Sequence, residues 1–101
     1  MNAQHFHLGQ NVPNPASSTT AIPFALVHTS DVSLHIHNLQ GRRIHTIAMS
    51  ALAPGSHTIP LVPAELGHMH GGYVYQLIVR NHAGTFTDVR SMMVDAVNRS
   101  R

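Results

Sequence analysis

The sequence predicts an all-β protein, an immunoglobulin-like antiparallel β-sandwich of about seven strands, on three observations. Apolar and polar residues alternate in short runs. Gly, Pro, Asn and Ser interrupt those runs about every 8 to 12 residues, the spacing of sandwich strands. No stretch keeps a helical period for three turns. At 101 residues the chain is one domain by length, with enough apolar residues (43%) to fill a core.

The first strand covers Phe6 to Leu8 and leads into NVPNPASS, where Pro13 and Pro15 fix their backbone angles and Asn14 tolerates turn geometry, making a stiff connector. Further strands are predicted near Thr19 to Leu26, Val32 to Asn38, Arg43 to Met49, Ser56 to Leu61, Tyr73 to Arg80 and Thr85 to Val94. The segments HTSD, NLQG, ALAPG, PAELGHMHGG and NHAG between them favour reversal, and connections this short favour antiparallel neighbours. VPAELGHMH has room for one helical turn at most. Gly41, closing Asn38-Leu39-Gln40, sits where a positive φ is expected. Gly71 and Gly72 predict a close backbone approach before the tyrosine-rich strand.

Alternation also assigns faces. Val32, Leu34 and Ile36 share one side of their strand and Ser33, His35 and His37 the other; the core takes the aliphatic set, because burying imidazoles without partners is costly. His35 and His37 therefore point outward. Tyr73, Tyr75, Leu77 and Val79 form one stripe with Val74 and Ile78 behind it, so this strand is apolar on both faces and central. A tyrosine here buries its ring and ties its hydroxyl to the backbone.

Composition excludes several classes. Charged residues are 10% of the chain, against about 25% in typical domains. The net charge is +2 and the pI about 10.0, but Arg42 with Arg43, and Arg90, Arg99 and Arg101, form no basic run, so no nucleic-acid partner is predicted. No cysteine is present, which removes disulfides, thiolate metal sites and cysteine catalysis. No apolar run approaches the roughly 18 to 20 residues of a membrane span. No nucleophile elbow, P-loop, zincin or dinucleotide fingerprint occurs, and the expectation is a protein that is not an enzyme.

Ten histidines stand out, with His-x-His at residues 5 and 7, 35 and 37, and 68 and 70. On a strand such pairs lie about 7 Å apart on one face, and imidazole suits zinc, copper or nickel. A structural or catalytic zinc needs a third or fourth ligand, and the only carboxylates are Asp31, Glu65, Asp88 and Asp95. His68 and His70, with Glu65 nearby, are the first metal candidates and His35 and His37 the second; no other cofactor is implied.

LGQNVPNPASSTTAIPFAL, VSLHIHNLQGRRIHTI, LAPGSHTIPL and GGYVYQLIV, in this order and at these intervals, resemble the C-terminal sorting domain (type A) of type IX secretion substrates. The resemblance runs over about residues 8–94. It rests on Gln10-Asn11-x-Pro13-Asn14-Pro15, Asn38-Leu39-x-Gly41, Pro54-Gly55-x-His57 and Gly71-x-Tyr73-x-Tyr75-x-Leu77. A weaker likeness, through Asn-Leu-x-Gly and Gly-x-Tyr, is to the Ig-like domain of the flagellar hook-cap protein. The family often has Tyr where His37 stands.

The resemblance implies a module at the end of a secreted protein. Such a module is recognised by the outer-membrane translocon and often removed by a sortase-like peptidase that links the cargo to surface lipopolysaccharide. Its recognition surface includes the final strand, here DVRSMMVDA, with Arg90, Met92 and Met93. Family members often carry Lys before the apolar pair and stop soon after; here Ser91 precedes Met92 and a polar tail, residues 95–101, follows. The expected location is secreted or cell-surface. MNAQHFHLGQ lacks the basic start and apolar stretch of a secretory signal, so export is expected to depend on a longer precursor or a different route. The second expectation is a stand-alone structural subunit of a homo-oligomer or filament, because few charges guard the strand edges.

Overall fold

In the computed structural model, which describes residues 5–66 and 70–95, two antiparallel sheets face each other as an immunoglobulin-like sandwich. The strands are β1 (Phe6–Leu8), β2 (Thr20–Leu26), β3 (Ser30–Asn38), β4 (Arg43–Leu52), β5 (Gly55–Leu61), β6 (His70–Asn81) and β7 (Gly84–Asp95). One sheet has the order β1-β2-β5 and the other β4-β3-β6-β7. A 3-10 turn, Pro63–Leu66, lies between β5 and β6, so the sequence-predicted helical turn forms at the start of its segment. Among the described residues no helix is long and apolar enough to cross a membrane.

Each strand forms where the alternation places it, and several run further because hairpin pairing extends them. β6 and β7 are twelve residues each and pair along their whole length, from His70 opposite Asp95 to Asn81 opposite Gly84. Their turn is closed by Ala83 N–H donating to Asn81 Oδ1 at 2.8 Å. In the β3–β4 turn, Asn38 Oδ1 accepts from Gln40 N at 3.0 Å and Arg42 N at 2.9 Å, and Gly41 takes φ 86°. That is the left-handed geometry expected there.

The core is the meeting of two stripes. Phe6, Leu8, Ile22, Phe24, Leu26, Ile59 and Leu61 come from the three-stranded sheet. Val32, Leu34, Ile36, Tyr73, Tyr75, Leu77, Val79, Met92 and Val94 come from the other, with β6 central as predicted. Gly72 makes its close approach to a side chain: a Cβ there would meet Leu39 Cδ1 at 3.0 Å. The predicted close contact is therefore with the β3–β4 turn rather than with backbone.

Candidate functional site

Gln10, Asn11, Pro13, Asn14 and Tyr75, five of the residues that carry the family resemblance, meet the final strand along one side of the sandwich, where the segment after β1 leaves its own sheet and crosses to the other. β1 pairs with β2, and Gly9 N–H prolongs that ladder by donating to Pro23 O at 2.8 Å. A Cβ on Gly9 would stand 2.8 Å from Pro23 Cγ and 3.1 Å from Pro23 O, so a side chain is excluded here. The chain then meets Tyr75. Its hydroxyl donates to Gly9 O and accepts from Asn11 N–H, both at 2.9 Å.

Asn11, 1% exposed, fixes the connector from inside. Its Nδ2 donates to Pro13 O at 3.0 Å and Thr20 Oγ1 at 3.1 Å, and its Oδ1 accepts from Gln10 Nε2 at 2.7 Å. Thr20 Oγ1 donates to Pro13 O at 2.9 Å. Every polar atom of the buried amide is thereby satisfied, as burial requires.

Beyond Pro13 the segment reaches the free side of β7. Asn14 Oδ1 accepts from Met93 N at 3.0 Å, Ala16 N donates to Met93 O at 2.8 Å, and Asp95 N donates to Ala16 O at 2.7 Å. Gln10 Nε2 donates to Ser91 O at 2.8 Å, and Arg90 Nε donates to Leu8 O at 2.8 Å. The C-terminal half of β7 is thus paired on both sides, to β6 and to residues 10–16.

This geometry separates residues that the sequence motif treats alike. Met92 is 1% exposed and packs in the core, whereas Met93 is 52% exposed on the outer face, as is Val89 at 53%. Met92 is therefore not available at the surface, where the resemblance implied it, because a strand turns adjacent side chains to opposite faces. Tyr73 is buried, while Arg90 is half-buried against β1. Pro15 is exposed beside buried Ala16. Gly55 and Gly71 hold φ 118° and 121°, both backbone roles. Gly9, Ala16 and Thr20 complete the clamp without having been singled out; the one signal for them was their position in the connector or beside it.

His35 and His37 stand on the outer face of β3 as predicted, with ring centres 6.3 Å apart. No group of three His, Cys, Asp or Glu side chains gathers to hold a metal ion among the described residues. His68 lies outside the described residues, and of His70 only the backbone is described. Four other imidazole rings are used in packing: His5 stacks on Phe86 at 3.9 Å, His57 on Phe24 at 5.4 Å, and His28 meets His82 edge-on at 4.6 Å.

No family model and no curated protein matches the chain. Among solved structures, the chain is similar to an engineered protein at TM-score 0.60 and 16% identity, over 92% of this chain and 20% of that one. It is also similar to part of a β-glucuronidase from Parabacteroides merdae at TM-score 0.59 and 13% identity, over 87% of this chain and 13% of the enzyme. Both likenesses are of fold. The chain spans only about an eighth of the glucuronidase's length, so the match is to one small domain within that enzyme.

Two titrations follow from the surroundings of these groups. Burial pushes the Tyr75 phenol above its ordinary value, against smaller opposing effects of the Asn11 N–H and Arg90. The neutral phenol is the form the fold prefers. Its contribution is full below the unfolded value of about 10 and is lost as pH rises through the folded one. Tyr75→Phe leaves Gly9 O and Asn11 N–H unpaired and is expected to lower stability by about 2–4 kcal/mol in urea unfolding, with the core otherwise retained. Burial first, then the charges of Arg43 and His37, holds the His35 imidazole below the usual histidine value. Its neutral form is favoured, a contribution present above pH about 6.5 and lost as pH falls through the folded value. In an NMR titration His35 is expected to titrate below the free imidazole, and Arg43→Ala to move it part of the way back.

Proposed function

We propose that the chain is a non-catalytic binding and attachment module of the type IX sorting-domain kind, recognised through protein contacts for export and retention at the cell surface. The observation that carries this reading is the joining of the motif segment to the final strand. Gln10 and Asn14 bond Ser91 and Met93, while Asn11 bonds Tyr75. The quoted motif elements at the two ends of the chain are thereby one physical unit, and a partner reading the final strand meets a surface rigidified by residues 10–16.

A partner adding a strand along the C-terminal half of β7 would have to displace that segment. Recognition therefore falls on side chains of the outer face, where Val89 and Met93 are each about half exposed. Exposed apolar side chains flanked by neutral polar neighbours are suited to a protein partner.

The experiment is a fusion of the chain to the C-terminus of a reporter bearing a secretory signal, expressed in a bacterium with a type IX system and in the same strain lacking the translocon. The reporter is expected at the surface or in the medium of the first and in the periplasm of the second. Val89→Arg with Met93→Arg is expected to reduce export several-fold while the isolated domain keeps its far-UV spectrum and melting temperature. Identical distribution in the two strains would overturn the proposal.

A further inference from the structure

The four edges of the two sheets are protected very unequally. β1 is three residues long, and its Leu8 carbonyl already accepts Arg90. β5 contains Pro60, which has no N–H to offer, and is bracketed by Pro54 and Pro63. β7 is covered over its C-terminal half by residues 10–16, and further back Asp88 Oδ1 occupies the Val89 N–H at 2.9 Å.

β4 is guarded only near its ends: Asp31 Oδ1 occupies the Ala51 N–H at 2.9 Å, Ala51 holds φ 56°, and the ladder to β3 shifts register between Ser30 and Val32 and between Ile36 and His37, which leaves residues 45–49 regular and open. It runs ten residues, Arg43–Leu52, with no proline or glycine and no charge after Arg43. It pairs with β3 on one side, and among the described residues with nothing on the other. Ile47 and Met49, opposite the buried Leu34 and Val32, are only half covered at the open side of the sandwich, because β4 does not pair with β5. A long neutral edge of this kind is a template for another strand.

We propose that this edge is an interface with a second copy of the chain, β4 against β4, antiparallel about a two-fold axis at Ile47. Charge selects both the partner and the direction. Arg43 lies at the start of β4, and Asp31 lies beside its end, where its Oδ1 accepts Ala51 N–H at 2.9 Å. Antiparallel pairing centred on Ile47 sets residue 43 opposite residue 51 of the other copy, which brings Arg43 to the exposed Asp31 twice. Parallel pairing would bring Arg43 to Arg43 instead. The same register sets Ile47 against Ile47 and Met49 against His45, covering the half-exposed row. A two-fold β4–β4 contact uses up the same edge on both copies, and β7, the other edge of this sheet, is covered over its C-terminal half by its own chain, so association closes at a dimer rather than growing into a filament.

This inference is independent of the export reading, since a chain can dimerise without being exported and be exported without dimerising. Its test uses the absence of cysteine. Light scattering after size exclusion should give twice the 11.0 kDa chain mass at high concentration. Ile47→Cys should form a disulfide-linked dimer on mild oxidation, and Thr58→Cys on β5 should not. Arg43→Glu should weaken association at least tenfold, and Arg43→Glu with Asp31→Arg should restore it, each variant being checked for an unchanged melting profile. A monomer at every concentration would overturn the proposal. So would a dimer that Thr58→Cys cross-links as readily as Ile47→Cys, or one that Arg43→Glu leaves unchanged.

Discussion

Tyr75 comes from the central strand of the larger sheet, and its hydroxyl is bonded on both sides to the segment that leaves β1, at Gly9 and Asn11. The crossing of the chain from one sheet to the other depends on that double bond. With the phenol in place, Asn11 is held where its amide satisfies Pro13 and Thr20, and Asn14 and Ala16 are delivered to β7. Without it, the buried Asn11 N–H and the part-buried Gly9 carbonyl would lose their partner, a cost of about 1–3 kcal/mol for each group left unsatisfied. The phenol's burial and its two bonds are one constraint.

That constraint has a consequence for surfaces. Once residues 10–16 lie along β7, β4 is the edge of the larger sheet that no other segment pairs with among the described residues. The smaller sheet offers a three-residue edge and a proline-bearing one. A chain with 10% charged residues has few other means of guarding edges, so pairing with its own connector substitutes for charge as a protective device. It also explains why side chains rather than backbone are what β7 can present to a partner.

The period-two pattern made the strands readable because each strand has one buried face. Val32, Leu34 and Ile36 fill the core while His35 and His37 stay outside. Gly41 was readable from its turn, and the tyrosine tie from the apolar stripe it sits in. What pairs with what over long separations was not readable. The partners Asn11 and Tyr75, or Asn14 and Met93, are 64 and 79 residues apart, and only the sandwich brings them together. The split between Met92 and Met93 was implicit in alternation, yet a motif of two adjacent methionines hides it until the strand's face is known. The resemblance to a sorting domain supplied a list of residues; their hydrogen bonds supply the reason those types stand there.

The connector belongs to the cooperative core, although it is built from prolines, serines and asparagines that read as a loop. Native-state amide hydrogen exchange tests this directly. The Asn11, Met93 and Asp95 amides are expected to exchange as slowly as those of Leu77 and Val79 in β6, and to lose that protection together in Tyr75→Phe. Exchange of the Asn11 and Asp95 amides at the rate of an open loop, with β6 still protected, would contradict it.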